Sequence, residues 1–118
     1  MNVQDRDLSI LEHILSYCDQ IEMAVEHFGR SFDIFDSSPV YRNSVALCIL
    51  QIGELVGHLS DEFKSANTQI PWRQIKLMRN IVAHRYGTVD NTITWDVVES
   101  DVPQLREYCA ILLQNHDT

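Results

Sequence analysis

A chain of 118 residues has room for one ordinary domain around a single core. Apolar residues make up 45%, Gly and Pro are scarce, and the absence of low-complexity tracts excludes a disordered or fibrous chain. A formal net charge of −8 argues against a general nucleic-acid coat protein, yet leaves room for a locally positive site and for a basic partner.

The opening Met1-Asn2-Val3-Gln4-Asp5-Arg6 lacks a basic segment leading into an apolar run, and no apolar stretch nears the ~20 residues that span a bilayer. A cytoplasmic location with no membrane contact is expected. Ser9-x-x-Glu12 has the form of a capping box, and Leu11, Ile14, Leu15, Cys18, Ile21, Val25 and Phe28 follow at helical spacing. This predicts a first helix from about Asp7 to His27, ending near Gly29. Asp5, Asp7 and Glu12 then read as helix-start charges, not metal ligands. A loop with Phe32, Ile34 and Phe35 follows, apolar enough to pack.

Ser38-Pro39 starts a second helix, with Pro pre-set for the first turn. It should run to about Ser60 and bury Val45, Cys48, Ile49, Ile52, Leu55, Val56 and Leu59. Gly53 and Gly57 share one of its faces, each costing roughly 1 kcal/mol relative to Ala, which predicts the close approach of another helix. Glu54 beside them faces either solvent or the basic stretch that follows.

Pro71 opens a third helix carrying Trp72 to Tyr86, with Gly87 as its stop. After a turn at Thr88-Val89-Asp90-Asn91, Thr94 is expected to cap a fourth helix through Trp95, Val97 and Val98, which Pro103 kinks or breaks. Leu105, Tyr108, Cys109, Ile111 and Leu112 complete the bundle. With no strand-like alternation, the expected fold is all-α, an antiparallel bundle of four to five helices over residues 1–118. Trp72 and Trp95 should pack in its core. Cys18, Cys48 and Cys109 are odd in number and form no CxxC pair, so they read as buried free thiols, and neither a metal nor a cofactor is implied.

Charge is unevenly distributed along this acidic chain. From Phe63 to Val89 it carries Lys64, Arg73, Lys76, Arg79 and Arg85 and no Asp or Glu, while the remainder holds all seventeen acids and four bases. Within that stretch, Arg79-Asn80-Ile81-Val82-Ala83-His84-Arg85-Tyr86 joins a fixed cation to a group that moves a proton near neutral pH, a set suited to a phosphodiester. On a helical wheel Arg73, Lys76, Asn80 and His84 form one polar stripe. Trp72, Ile75, Met78, Val82 and Tyr86 form the opposite, inward face, with Arg79 among them. Leu77 and Ile81 make a second apolar strip, as expected of a helix that touches two neighbours, the second of them another subunit. Arg79 and His84 stand about 140° apart on an ideal helix. Either the last turn distorts, or Arg79 reaches round the helix, or two copies of the helix build one site. Asn80, four residues before His84, is placed to orient its ring. The bland alternative is a solvated Arg and His on a basic surface; His13, His27, His58 and His116 have no comparable setting.

Taken together, Ile52-Gly53-Glu54, Leu59-Ser60, Ile70-Pro71-Trp72, Met78-Arg79-Asn80-x3-His84-x-Tyr86, Val89-Asp90, Trp95 and Val102-Pro103-x-Leu105 resemble HepT-type HEPN-domain proteins, encoded beside minimal nucleotidyltransferases. The resemblance covers about Pro39 to Leu113; Leu77 departs from it, where the family more often has glycine. It implies a dimeric HEPN-like bundle acting as the toxin of a toxin–antitoxin pair, a metal-independent endoribonuclease on RNA. Arg79 and His84 would be catalytic, Asn80 supporting, and Arg73, Lys76 and Arg85 RNA-binding. The implied partners are a second copy of the chain, forming a homodimer, and a cognate nucleotidyltransferase antitoxin that AMPylates Tyr86. The competing expectation is a helical dimer of the same fold that binds nucleotide or docks a partner without catalysis.

Overall fold

One helix sets the long axis of the molecule. In a computed structural model that describes residues 3–85 and 90–117, with side chains from 5 to 83 and from 90 to 115, α1 spans Val3–Phe28. Its 26 residues reach about 39 Å at the helical rise, most of the 44 Å maximum extent. Leu11, Ile14, Cys18, Ile21 and Val25 recur at helical spacing and are fully buried, and Gly29 (φ 119°) ends the helix in the left-handed conformation that favours glycine. The helix begins well before Ser9, so the capping box expected there lies inside it. Ser-x-x-Glu is as compatible with a helix interior as with a helix start, and here the buried face continues upstream to Asp7.

The segment expected to be a packed loop is a short helix, α2 (Phe32–Ser37), with Ser31 as N-cap accepting from the Ile34 amide. It seats Phe35 edge-on to Tyr41 (5.1 Å between ring centroids) and tilted against Trp95 (5.2 Å). Ser38 caps and Pro39 opens α3 (Pro39–His58), as expected, and Val45, Cys48, Ile49, Ile52 and Val56 are buried along it, with Leu55 half-buried. α1 packs against α3 and the C-terminal helix (Val102–Asp117), and α3 packs against the basic helix (Trp72–Arg85), so α3 lies between the long first helix and the basic one.

A further short helix, α4 (Asp61–Ala66), went unread in the sequence. Ser60 caps it by accepting from the Phe63 amide (3.1 Å). Ser60 is itself held by Asp7, whose carboxylate accepts from the Ser60 amide (2.9 Å) and hydroxyl (2.7 Å). Asp7 is thus a buried tether from α1 to the α3–α4 corner, not a solvated helix-start charge. The following linker is pinned in turn. The Trp72 indole donates to the Asn67 carbonyl (3.0 Å), and the Tyr108 hydroxyl donates to the Asn67 side chain, which fixes where α5 (Trp72–Arg85) begins.

The last stretch is helical from Asn91 to Asp117: α6 (Asn91–Asp96), a π turn (Val97–Asp101) and α7 (Val102–Asp117). Its N-cap is Asp90, not Thr94. The Asp90 carboxylate accepts from the Thr92 amide and hydroxyl, which together hold it below the usual carboxylate range, and Thr94 is buried one turn further on. Pro103 does not stop the helix, but the α pattern is interrupted just before it. The turn just before it is widened, with the Val102 amide reaching Val97 O, which relieves the clash of the proline ring with the preceding turn. Val98, Val102, Leu105 and Cys109 complete the core, Trp72 and Trp95 pack half-buried against it, and the described residues contain no strand. All three cysteines are buried free thiols, and burial pushes Cys109 up to about 12 and Cys18 higher still. No helix among the described residues is long and apolar enough to cross a membrane.

The Asp7 tether carries a measurable share of stability. Hydrogen bonds to a charged group contribute about 1.5–3 kcal/mol, so Asp7→Ala should lower the unfolding free energy by about that amount, read in urea titrations as a lower midpoint at an unchanged m-value.

Candidate active site

The faces of α5 follow its sequence. Val82 is buried and Trp72, Ile75 and Met78 are half-buried on the inward side, while Arg73 and Lys76 stand exposed on the outer stripe. Neither of these two cations makes an ion pair among the described residues. They are exposed charge on a helix that contains no carboxylate of its own. The exposed histidines 13, 27 and 58 lie on α1 and α3, not on this helix.

Arg79 sits on the inward side, as its place on the wheel requires, and α3 makes room for it. A Cβ added at Gly53 would overlap the Cβ and Cγ of Arg79, so the arginine stem runs directly across the glycine backbone. That explains one of the two glycines expected to receive a helix. Gly57 meets nothing within 4 Å and is exposed, so the close approach is confined to position 53.

Beyond the stem, the Arg79 guanidinium leaves the inward face. One terminal nitrogen donates to Glu54 Oε1 and the other to Asn80 Oδ1 (3.0 Å). Nε is buried without a partner, whereas the side chain as a whole is 30% exposed. The charged end therefore lies towards solvent at the turn of α5 occupied by Asn80, on the polar stripe. Glu54, for which sequence left two directions, faces the basic helix, with its own side chain 49% exposed.

The structure therefore brings together Arg79, Asn80 and Glu54, with Arg73 and Lys76 further along the stripe. His84 and Arg85 belong to the last turn of α5, but their side chains lie outside the described residues, as do Tyr86, Gly87, Thr88 and Val89 entirely. Asn80, expected to orient His84, has its Oδ1 as an anchor for Arg79. Leu77 and Ile81, the second apolar strip, are exposed and border an apolar cleft of about 240 Å³ floored by Ile49, Ile52, Val102 and Leu105. The π turn contributes Val97 and Asp101 to its rim. Among the described residues no group of three or more His, Cys, Asp and Glu converges as a metal site would require.

Comparison with known proteins places this helix in context. The model of the family described as Ribonuclease HepT-like matches residues 14–112, a span that includes all of α3 and α5. The chain is similar to a candidate RNase of Caldanaerobacter subterraneus subsp. tengcongensis, 33% identical over 88% of this chain and 91% of that protein. It is 29% identical to a probable ribonuclease HepT of Thermococcus cleftensis, over 80% of this chain and 87% of the relative. A gamma-glutamylcyclotransferase and candidate RNase of Methanocaldococcus jannaschii is 33% identical over 95% of this chain, which spans half of that longer protein. No solved structure matches the chain significantly.

Gly53→Ala tests the seating of Arg79. The added methyl forces the two helices apart or displaces the arginine stem, and overpacking of this kind costs about 1–3 kcal/mol. Gly57→Ala, with open space around it, should instead be neutral or stabilising through the roughly 1 kcal/mol gain in helix propensity. Thermal melts of the two variants read this contrast.

Proposed function

This chain belongs to the HepT-like ribonuclease family, and we propose that it is a metal-independent endoribonuclease working through Arg79 and His84. The observation that carries this reading is the seating of Arg79. A cation rising from an apolar face is turned by a hydrogen bond to Asn80 onto the stripe whose next helical turn holds His84. His84 takes the 2′-hydroxyl proton or protonates the leaving oxygen, water carrying the other proton; the 2′-oxygen attacks phosphorus as the P–O5′ bond breaks, giving a 2′,3′-cyclic phosphate and a 5′-hydroxyl. Acid–base catalysis of this kind supplies roughly 10²–10⁴-fold. Arg79 stabilises the charge that develops on the phosphorane, and Arg73, Lys76 and Arg85 hold the backbone phosphates. Because the 2′-oxygen is the nucleophile, DNA is not a substrate.

In the same reading the working form is a homodimer in which Leu77 and Ile81 meet a second copy and two motifs face one cleft. Their exposure on the flank of the polar stripe supports this. The biological role is that of a cytoplasmic toxin, silenced by a cognate nucleotidyltransferase antitoxin that transfers AMP to Tyr86. A second reading, a helical dimer that binds nucleotide or a partner without catalysis, draws on the Arg79–Glu54 pair, since a guanidinium already matched by a carboxylate is what a purely structural contact also looks like.

Cleavage of a labelled RNA pool in EDTA separates the two. Wild type and His58→Ala should both yield cyclic-phosphate ends, His84→Ala should lose at least about 10²-fold in rate, and a 2′-deoxy substrate should stay intact. Persistent partner or nucleotide affinity without RNA products from any form would establish the second reading. For the silencing step, co-expression with the neighbouring nucleotidyltransferase should add the mass of AMP to the tryptic peptide containing Tyr86, and Tyr86→Phe should abolish the addition. An adduct on another residue would reassign the site.

A further inference from the structure

We propose that Glu54 is a positioning residue of the RNA-cleaving site, holding the Arg79 guanidinium in place before substrate arrives. This rests on Arg79 and His84 being the catalytic pair. Four observations converge on it. Glu54 follows Gly53, so the turn of α3 that admits the arginine stem also presents the carboxylate to its head. Glu54 and Asn80 each accept from a different terminal nitrogen, one from α3 and one from α5, and two fixed acceptors define the plane of the guanidinium where one would leave it free to swing. Nε is buried and unpartnered, so the charge can be presented only through the terminal nitrogens that these two acceptors orient. The pair also opens to solvent instead of being sealed in the core, with the two side chains 30% and 49% exposed, so a phosphate can reach the ends of the guanidinium not taken by protein.

Long, flexible arginine loses rotamer freedom when it binds a phosphate, and a helix partner that removes this freedom in advance lowers the barrier instead of the binding energy. The carboxylate has an opposing effect, because it sits near the incoming phosphate and weakens its capture. The two effects act on different kinetic parameters. Loss of positioning lowers kcat; loss of the negative charge lowers KM. A contact that served only the fold would alter neither in molecules that remain folded.

Single-turnover and steady-state cleavage of a labelled oligoribonucleotide by wild type, Glu54→Ala and Glu54→Gln tests this, with the folded fraction of each variant fixed by thermal melts. Glu54→Ala should lower kcat by about 10²-fold with KM unchanged or reduced, the loss expected of a misplaced catalytic group. Glu54→Gln keeps an acceptor oxygen and should recover most of the rate; it also carries the test if the alanine variant unfolds. In parallel, ¹⁵N spectra of the arginine side chains should show separate, slowly exchanging terminal-nitrogen signals for Arg79 in wild type that merge in Glu54→Ala. Unchanged kcat per folded molecule in Glu54→Ala, a rise in kcat, or signals already merged in wild type overturns the proposal for Glu54. Wild type that leaves RNA intact overturns the catalytic pair instead, and with it any role for Glu54 in cleavage.

Discussion

The packing of an arginine stem across a glycine is the constraint on which this molecule's candidate site depends. Gly53 lets α3 and α5 approach at one point, and the gap its missing side chain leaves is filled by the methylenes of Arg79. A glycine inside a helix costs roughly 1 kcal/mol in propensity, and an ion pair as exposed as Arg79–Glu54 contributes only about 0–1 kcal/mol. Stability alone therefore gives little reason for the arrangement. Leu or Met on α5 across the same glycine would fill the space without a charge to solvate. What the arrangement achieves is a cation with a rigid, dry stem and a wet head, and the α1–α3–α5 stack with its Asp7 and Asn67 anchors keeps the two helices in the register that produces it.

How much of this was legible in sequence varies with the range of the signal. Ser38-Pro39, Pro71 and Gly29 mark helix ends through chemistry carried by one or two residues, and those ends fall where expected. Ser9 and Thr94 are cap-forming types inside helices, where identity alone cannot tell a cap from an interior residue. The deciding facts are the upstream turn anchored through Asp7 for one and the nearby Asp90 for the other. Asp7 was beyond reach for a different reason, since its partner Ser60 lies 53 positions away and no periodicity links them. At the site, the placement of Arg79 among apolar residues was visible on a wheel and is what the structure has. The direction taken by Glu54 depends on how two helices cross, which composition does not encode. The octet's histidine and tyrosine remain sequence observations, tied to the family and not to a described side-chain position.

Two kinds of cation share α5. Arg73 and Lys76 are exposed and unpaired among the described residues, while Arg79 is held by a carboxylate and an amide. Mobile surface charge attracts a polyanion over a distance, and a fixed guanidinium acts on one phosphate in contact. In the proposed reading both are needed, because the rest of the chain is strongly acidic and repels RNA everywhere except along this helix.

The π turn at Val97–Asp101 has a meaning in terms of chain length. A π turn is an α-helix holding one residue more than its rise requires, with the flanking turns still in register. Removing that residue would restore an unbroken α-helix, and the buried faces of α6 and α7 would stay aligned. It would also bring the ring of Pro103 against a carbonyl one regular turn earlier, a clash of about 3 kcal/mol. A single-residue deletion between Asp96 and Val102 is therefore tolerated only alongside replacement of the proline. The two features behave as a linked pair of insertion and ring, and neither can be lost from the helix alone without penalty.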